Sequence, residues 1–230
     1  MNYQDLFDQI QSYTENQFPA TYLANGSTVS YTTQINTFIQ QAEARIYNTV
    51  QIPSLRKNVT GACTASNKYL ACPNDYLSTY SLAVISPSDG SYTYLLNKDV
   101  NFIRESYPIP TDTGVPKYYA LFGSRLNDPT ELTFMLGPKP DADYGIELHY
   151  FYYPESIVDA STSWLGDNYS PALLYGSLVE AYSYMKGEPD LLAMYNTKYQ
   201  EAMQQLNRLG TGLERGDAYR DGQAKIKVNP

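Results

Sequence analysis

Apolar residues recur at helical spacing in two stretches near the N-terminus. Residues 3–15 and 33–50 each place them every three or four positions, which predicts two amphipathic helices, the second ended by Pro53. The segment between them, residues 16–31, is rich in turn-forming residues and is expected to be a loop. The predicted apolar faces are Leu6, Ile10 and Tyr13 in the first helix and Ile35, Phe38, Ile39, Ala42, Ile46 and Val50 in the second.

The hydrophobic period changes towards two between Leu55 and Pro154. β-branched and aromatic residues alternate with polar ones, and Gly, Pro, Asn and Asp separate the runs, which predicts an antiparallel sheet or small sandwich. A short helix is expected over residues 99–106. The predicted strands lie near 55–62, 68–72, 78–86, 91–96, 117–123, 131–136 and 145–153.

Helical spacing returns in the last third of the chain. Ser170 is expected to cap a helix that Pro171 begins, and Pro189 suits the start of the next one, over about 190–208. Gly187 and Glu188 lie between them, so the pair is expected to form a helical hairpin. The periodic pattern stops after residue 210, which predicts a polar C-terminal tail.

The order of these elements predicts an α+β fold. None of the four helices can bury its apolar stripe alone, so a four-helix bundle is expected, with an antiparallel β domain inserted between its halves. The predicted boundaries are residues 1–52 for the first helical part, 53–165 for the β domain, 166–209 for the second helical part and 210–230 for an extended C-terminal arm.

The composition favours a protein that makes contacts over one that grips nucleic acid. The chain has 43% hydrophobic and 17% charged residues, with 24 tyrosines. Tyrosine combines an apolar face with a polar tip, which suits subunit interfaces, although strands also favour it. A net charge of −8 argues against a basic DNA-binding surface but is compatible with a channel wall that DNA slides past.

The chain shows no sign of export or of membrane insertion. Its first residues lack a basic and apolar signal, and no apolar run reaches the ~18 residues that span a bilayer. The two cysteines, Cys63 and Cys72, flank a predicted turn that does not place them opposite each other. We therefore expect reduced thiols packed as small apolar groups.

Motifs for catalysis are missing from the sequence. The single histidine, His149, lies in a predicted strand on the face of Phe151 and is interpreted as structural. No nucleotide-binding, zinc-protease or nucleophile-elbow motif occurs, so no catalytic residue, metal or cofactor is expected. Paired carboxylates among Asp75, Glu105 and Glu147 leave a cell-wall hydrolase as a weak alternative.

Charged residues in two places are candidates for contacts. Glu43 and Arg45 are two positions apart in the second helix, so they point in different directions, either into solvent or towards a neighbouring subunit. The tail carries four basic residues that acidic neighbours nearly cancel, which favours docking onto a protein groove over DNA binding. These four are Arg215, Arg220, Lys225 and Lys227.

Several segments together resemble the head-to-tail adaptor proteins of tailed phages, most closely those of short-tailed phages. The run FIQQAEARI, residues 38–46, is similar to the helix that opens these adaptors, and CPNDYL, residues 72–77, is similar to one of their turns. The resemblance extends over about residues 30–208. The further matching segments are GVPKYYA at 114–120, LGPKPD at 136–141, HYFYY at 149–153 and YGSLVEA at 175–181.

The resemblance implies a structural protein of the virion neck that is assembled in the host cytoplasm and acts in DNA ejection. It implies a homo-oligomeric ring, commonly of twelve subunits, that lines the DNA exit channel without sequence-specific binding. The C-terminal arm would engage the portal protein, and the opposite face would receive a nozzle or tail-tube protein. A carbohydrate- or host-surface-binding module of a phage tail is the alternative, since exposed tyrosines stack on sugars.

Overall fold

The computed structural model describes residues 1–22, 26–123 and 132–214, with side chains as far as residue 211. The chain divides into two compact units. The helical unit consists of Met1–Ser54 together with the chain from Pro154 onward, and the β unit is Leu55–Tyr153. Helices and largely antiparallel sheets together make the fold α+β, as predicted.

The elements follow one another in three blocks. The helical unit begins with α1 (Tyr3–Thr14), β1 (Thr21–Tyr22), β2 (Thr28–Val29) and α2 (Tyr31–Thr49). The β unit contains β3 (Arg56–Cys63), β4 (Tyr69–Ala71), β5 (Tyr76–Ile85), β6 (Tyr92–Tyr94), β7 (Leu96–Asn97), α3 (Val100–Ser106), β8 (Tyr118–Gly123), β9 (Thr133–Gly137) and β10 (Tyr144–Tyr152). The helical unit resumes with α4 (Ile157–Ala160), α5 (Trp164–Asn168), α6 (Ser170–Met185) and α7 (Pro189–Glu214).

Side-chain caps define the starts of the first two helices. Asn2 accepts a hydrogen bond from the Asp5 amide, and the Asp5 carboxylate accepts one from the Asn2 amide, which forms a capping box. Ser30 caps α2 through the amide of Thr33. Both predicted N-terminal helices are confirmed. The expected loop between them contains the β1–β2 hairpin and the buried ring of Phe18.

Helix α6 lies at the centre of the helical unit and packs against α1, α2, α5 and α7. Residues on all of its sides are buried, as expected for a helix that is apolar all round. Close approach is possible at Gly176, where an added Cβ would lie 3.1 Å from the Ala42 Cβ and 3.2 Å from the Tyr199 ring.

Helix boundaries in the C-terminal part differ from the expectation. The predicted end of the last helix near residue 208 is wrong, since α7 continues to Glu214. The helix passes through Gly210, where an added Cβ would lie only 3.1 Å from the Gln51 carbonyl oxygen. The predicted cap at Ser170 is also wrong. Ser170 is the first helical residue, and Tyr169 precedes it without a side-chain cap.

Residues 154–165, which were expected in the β domain, belong to the helical unit. They include α4 and the start of α5, two short helices that the pattern did not predict. Ile157 and Leu165 are fully buried, and α4 packs on α2 while α5 packs on α6. Helices this short carry too few periodic positions to be seen in the sequence.

The β unit contains two four-stranded sheets, ordered β3-β10-β5-β6 and β4-β9-β8-β7. Side chains from both sheets form one apolar core, which includes Leu82 and Leu148 from the first sheet and Phe134 and Leu136 from the second. The two free thiols of Cys63 and Cys72 pack in this core, as predicted. Burial raises the pKa of the Cys63 thiol.

The expectation of a purely antiparallel sheet is wrong at one pair, because β7 pairs with β8 in parallel. The cause lies in the predicted strand 91–96, which is divided between the two sheets. The Leu95 amide donates to the Leu82 carbonyl of the first sheet, while the Leu96 amide donates to the Lys117 carbonyl beside the second. The side chain of Leu95 is buried in the core at this crossing.

Candidate interaction surfaces

Glu43 lies on α2 and is 4% exposed. Its carboxylate accepts hydrogen bonds from the Ser156 hydroxyl at 2.6 Å and from the Ile157 amide at 3.0 Å, so it caps α4. Burial raises the pKa of Glu43, and these two hydrogen bonds partly counter it. The carboxylate is therefore occupied within its own unit and is not a solvated surface charge.

Arg45 points in another direction from Glu43, as the two-residue spacing predicts. Its guanidinium forms an ion pair with Glu180 of α6 and lies 5.9 Å from the centroid of the Tyr199 ring of α7. The Arg45 side chain remains 45% exposed. Arg45 thus links three helices and still presents charge at the surface, which leaves it as the subunit-contact candidate of the two.

The basic tail residues lie outside the described part of the chain. They are Arg215, Arg220, Lys225 and Lys227. The described chain ends at Glu214, the last residue of α7, so the tail follows directly from this helix.

Asp75 is the centre of a charged network in the β unit. Its carboxylate accepts hydrogen bonds from the Lys57 ammonium at 2.5 Å and from the Tyr150 hydroxyl at 2.8 Å. Burial alone would raise the pKa of Asp75, but these two donors outweigh it and lower the pKa. Burial first and the Asp75 hydrogen bond second raise the pKa of Tyr150. The network joins β3, β10 and the residue before β5. The role of Asp75 is therefore to hold these strands together.

Glu147 and Glu105 are the other two carboxylates considered for a hydrolase. Glu147 accepts a hydrogen bond from the Asn58 amide group at 2.6 Å, across the β3–β10 pair. Glu105 is exposed on α3. Among the described residues, no group of three or more His, Cys, Asp and Glu side chains is arranged to hold a metal ion.

His149 belongs to an aromatic cluster on the β3-β10-β5 sheet. Its ring meets Tyr80 edge to face, with centroids 5.0 Å apart, and Tyr80 also contacts Phe151. The Arg56 guanidinium lies 4.0 Å from the Tyr80 centroid and 4.7 Å from that of Phe151. His149 and Phe151 share a face as predicted. Arg56 was not foreseen, because only the register of β3 with β10 brings it there.

The β unit also presents large apolar side chains at one margin. Tyr92, Tyr94 and Leu96 are 51%, 65% and 60% exposed. They lie on β6 and β7, each the last strand of its sheet. The sequence marked this stretch only as a strand, since the order of strands within a sheet cannot be read from alternation.

At the opposite margin, β3 and β4 are the outer strands. A cleft of about 270 Å³ opens between them, lined by Val59, Leu70, Ile146 and Leu148 among others. Leu148 and Ile146 belong to the core of the unit, so the cleft reaches the apolar interior.

A larger pocket of about 470 Å³ lies elsewhere in the β unit. Its lining combines the aromatic rings of Tyr69 and Tyr107 with the charged groups of Arg104, Asp112 and Lys139. Aromatic faces beside polar groups are the kind of surface that sugars stack on.

The helices in the described part of the chain are each too short or too polar to cross a membrane.

The chain matches a known family of proteins. A family model with the description SU10 adaptor protein matches residues 1–224, a range that includes the whole β unit and the helical unit up to residue 224. No curated protein matches the chain.

Proposed function

Because the chain belongs to the SU10 adaptor protein family, we propose that it joins the portal to the tail as a ring-forming head-to-tail adaptor. The resemblance to phage head-to-tail adaptors is confirmed by this membership. The family is structural, and membership implies a place in the virion neck, an oligomer, and portal and tail partners. The family match over both units is the observation that carries the proposal.

We propose a ring of twelve copies between the portal and the nozzle or tail tube, assembled in the host cytoplasm. The ring would line the channel through which the genome leaves during ejection. A net charge of −8 supports this role, since a negative wall does not hold the DNA backbone. The protein is then non-catalytic and needs no cofactor.

Within each subunit, we propose that α1, α2, α6 and α7 form one four-helix bundle whose halves are separated by the β insertion. Support comes from α6, which packs against each of the other three long helices. Arg45 supports an outer contact, since it holds a charge at the bundle surface. The tail after Glu214 is proposed as the portal-docking arm, with Arg215, Arg220, Lys225 and Lys227 as its cationic contacts.

The test compares the full chain with a chain ending at Glu214 for binding to a purified portal ring. Ending the chain at Glu214 preserves α7, whereas a shorter chain would also remove its last turn. We expect the truncated chain to bind at least tenfold more weakly. A full-length variant with the four basic tail residues changed to Gln tests their charge.

Equal affinity of the full and truncated chains would show that the tail is not the docking arm. Ring formation is measured separately, by the mass of the portal complex and by its rotational symmetry in electron microscopy. A complex with no regular ring of this chain would overturn the adaptor proposal itself.

Carbohydrate or host-surface binding remains the second candidate, favoured by the pocket between Tyr69 and Tyr107. A glycan array probed with the full chain tests it, with Tyr107→Ala as the matched variant. Low-micromolar binding that the variant loses would support a sugar site. Absence of binding across the array would leave the adaptor role as the sole proposal.

A further inference from the structure

The two margins of the β sandwich are built differently. At the β6–β7 margin, one continuous segment crosses from the first sheet to the second through the buried Leu95, so the chain itself closes this side. At the β3–β4 margin, residues 64–68 also connect the two outer strands, but an apolar cleft lies between the strands themselves.

The cleft margin has the properties of an incomplete sheet. Among the described residues, β3 pairs with β10 alone and β4 with β9 alone, so the outward backbone groups of the eight-residue strand β3 have no strand partner there. An added Cβ at Gly61 would meet no atom within 4 Å. Arg56 and Lys57 place charge at the start of β3, whereas residues 58–63 contain neither a charge nor a proline, the usual devices that protect an edge from pairing.

The β6–β7 margin has exposed apolar side chains in place of a cleft. Tyr92, Tyr94 and Leu96 project there with more than half of their surface exposed. Strand β6 has no charged residue or proline either, and within the described chain it pairs with β5 alone. An exposed apolar ridge on an unprotected strand is unusual for a surface that stays in water.

Strand register places the ridge and the open edge at the same level of the sheet. Following the pairs across β5 and β10, large residues on β6 correspond to small residues on β3, with Tyr92 level with Ala62, Thr93 with Gly61 and Tyr94 with Thr60. The alternating directions of the strands make β6 antiparallel to β3. Copies standing side by side at one level would therefore bring these strands together as an antiparallel pair.

We propose that a second copy of this chain covers the open margin, with strand β6 of one subunit paired to strand β3 of the next. This inference rests on the proposed ring and names its interface. The two margins lie at opposite ends of the same sheets, so they cannot meet within one molecule. A contact between two different surfaces forms a ring when its rotation closes after a whole number of subunits.

Apolar contact and strand pairing act together in this interface. In this pairing Tyr92 and Tyr94 share the outer face of the sheet with Ala62 and Thr60 and would lie over these small side chains of the next subunit, while Thr93 would face the cleft beside Gly61. The pairing of β6 with β3 extends the sheet from one subunit to its neighbour, which is the geometry of strand addition at an exposed edge.

The test uses paired cysteines in the full chain assembled on a portal ring. Neighbouring antiparallel strands place opposite Cα atoms about 4.5–5.5 Å apart, within the range of about 4.4–6.8 Å that disulfides require. Gly61→Cys combined with Thr93→Cys is the first pair, and Thr60→Cys with Tyr94→Cys is a second pair at the adjacent level. After mild oxidation, we expect a ladder of linked multimers on a non-reducing gel, at least tenfold stronger than for each single-cysteine variant.

Gly61→Cys with Asn101→Cys is the matched control, since Asn101 is exposed on α3 rather than on an outer strand. Complexes that form rings but give no more linkage than this control would overturn the proposed interface and leave the adaptor function standing. Linkage that appears only after removal of residues 215–230 would show that a tail segment occupies the cleft, which also overturns it. Failure to form any ring would overturn the adaptor function and this inference together.

Discussion

Helix α6 and strand β6 treat their large side chains in opposite ways. α6 buries residues on all of its sides against four other helices of its unit, and only its ends, at Pro171 and at Ser183 and Tyr184, are exposed. β6 exposes both of its tyrosines at the margin of a sheet. The core of the helical unit is built around one helix, whereas all three residues of β6 remain exposed. The exposed tyrosines of β6 are therefore candidates for contacts with other subunits.

The polar interactions of the two units differ in the same sense. In the helical unit, the buried carboxylate of Glu43 accepts hydrogen bonds from one hydroxyl and one backbone amide at the start of α4. In the β unit, Asp75 forms its network with Lys57, whose side chain is 45% exposed. One carboxylate completes internal packing, and the other joins strands close to solvent.

The largest expected effect comes from Leu178→Ala in α6. Leu178 is fully buried, and removal of a buried leucine side chain costs about 2–5 kcal/mol of stability. The single tryptophan, Trp164, lies in α5 and reports on the helical unit, so urea unfolding followed by tryptophan fluorescence measures the loss. Leu96→Ala is the matched control. Leu96 is 60% exposed, and its loss is expected to change stability by less than about 0.5 kcal/mol. Equal effects of the two variants would break the contrast between the units.

An intermediate effect is expected for Asp75→Asn in the β unit. The variant keeps an acceptor oxygen for Lys57 and Tyr150 but loses the negative charge, so hydrogen bonds worth about 1.5–3 kcal/mol become neutral ones worth about 0.5–1.5 kcal/mol. Hydrogen exchange of amides in β5 and β10 should quicken, while the tryptophan transition of the helical unit stays in place. Asp112→Asn, at an exposed aspartate of the same unit, is the control.

This effect has a defined pH dependence. The pKa of Asp75 is lowered in the folded protein, so the unfolded chain binds the proton more readily. The stabilisation is present above the ordinary aspartate pKa of about 3.9 and is lost as the pH falls through the lower, folded pKa. The difference between wild type and Asp75→Asn should therefore shrink in acid. A difference that stays constant through this range would contradict the role given to the charge.

The smallest effect on stability is expected for Arg45→Ala. Its ion pair with Glu180 is partly exposed, and such pairs contribute at most about 1 kcal/mol. Lys198→Ala, which removes an exposed pair with Glu201, is the matched control. Urea unfolding should show little change for either variant. If Arg45 contacts a neighbouring subunit as proposed, only Arg45→Ala lowers the yield of portal-bound rings. Equal yields for both variants would remove Arg45 from the interface.

The sequence predicted the long helices and most strands because their patterns are local. The apolar stripe of α2 and the alternation in β10 each repeat often enough to be recognised. The errors occurred where a distant contact decides the local structure. α7 continues past Gly210, which lies against the Gln51 carbonyl, and residues 91–96 divide between the sheets because the Leu95 amide donates to Leu82 and the Leu96 amide to Lys117.

The candidate site residues show the same limit. The spacing of Glu43 and Arg45 correctly placed their side chains in different directions. Their partners, Ser156 and Glu180, were not foreseen, since they are more than a hundred positions away in the chain. The basic tail residues lie outside the described chain, so their role remains a prediction.

The sequence by itself determined the types and order of the elements and the likeness to phage adaptors, because helical and strand periodicity and short motifs depend only on neighbouring residues. The tertiary structure alone decided which carboxylates are buried, which strands lie at the margins of the sheets and where apolar surface remains. These properties depend on strand order and on contacts between residues far apart in the chain. The open β3–β4 edge and the exposed ridge on β6 and β7 are therefore features of the fold.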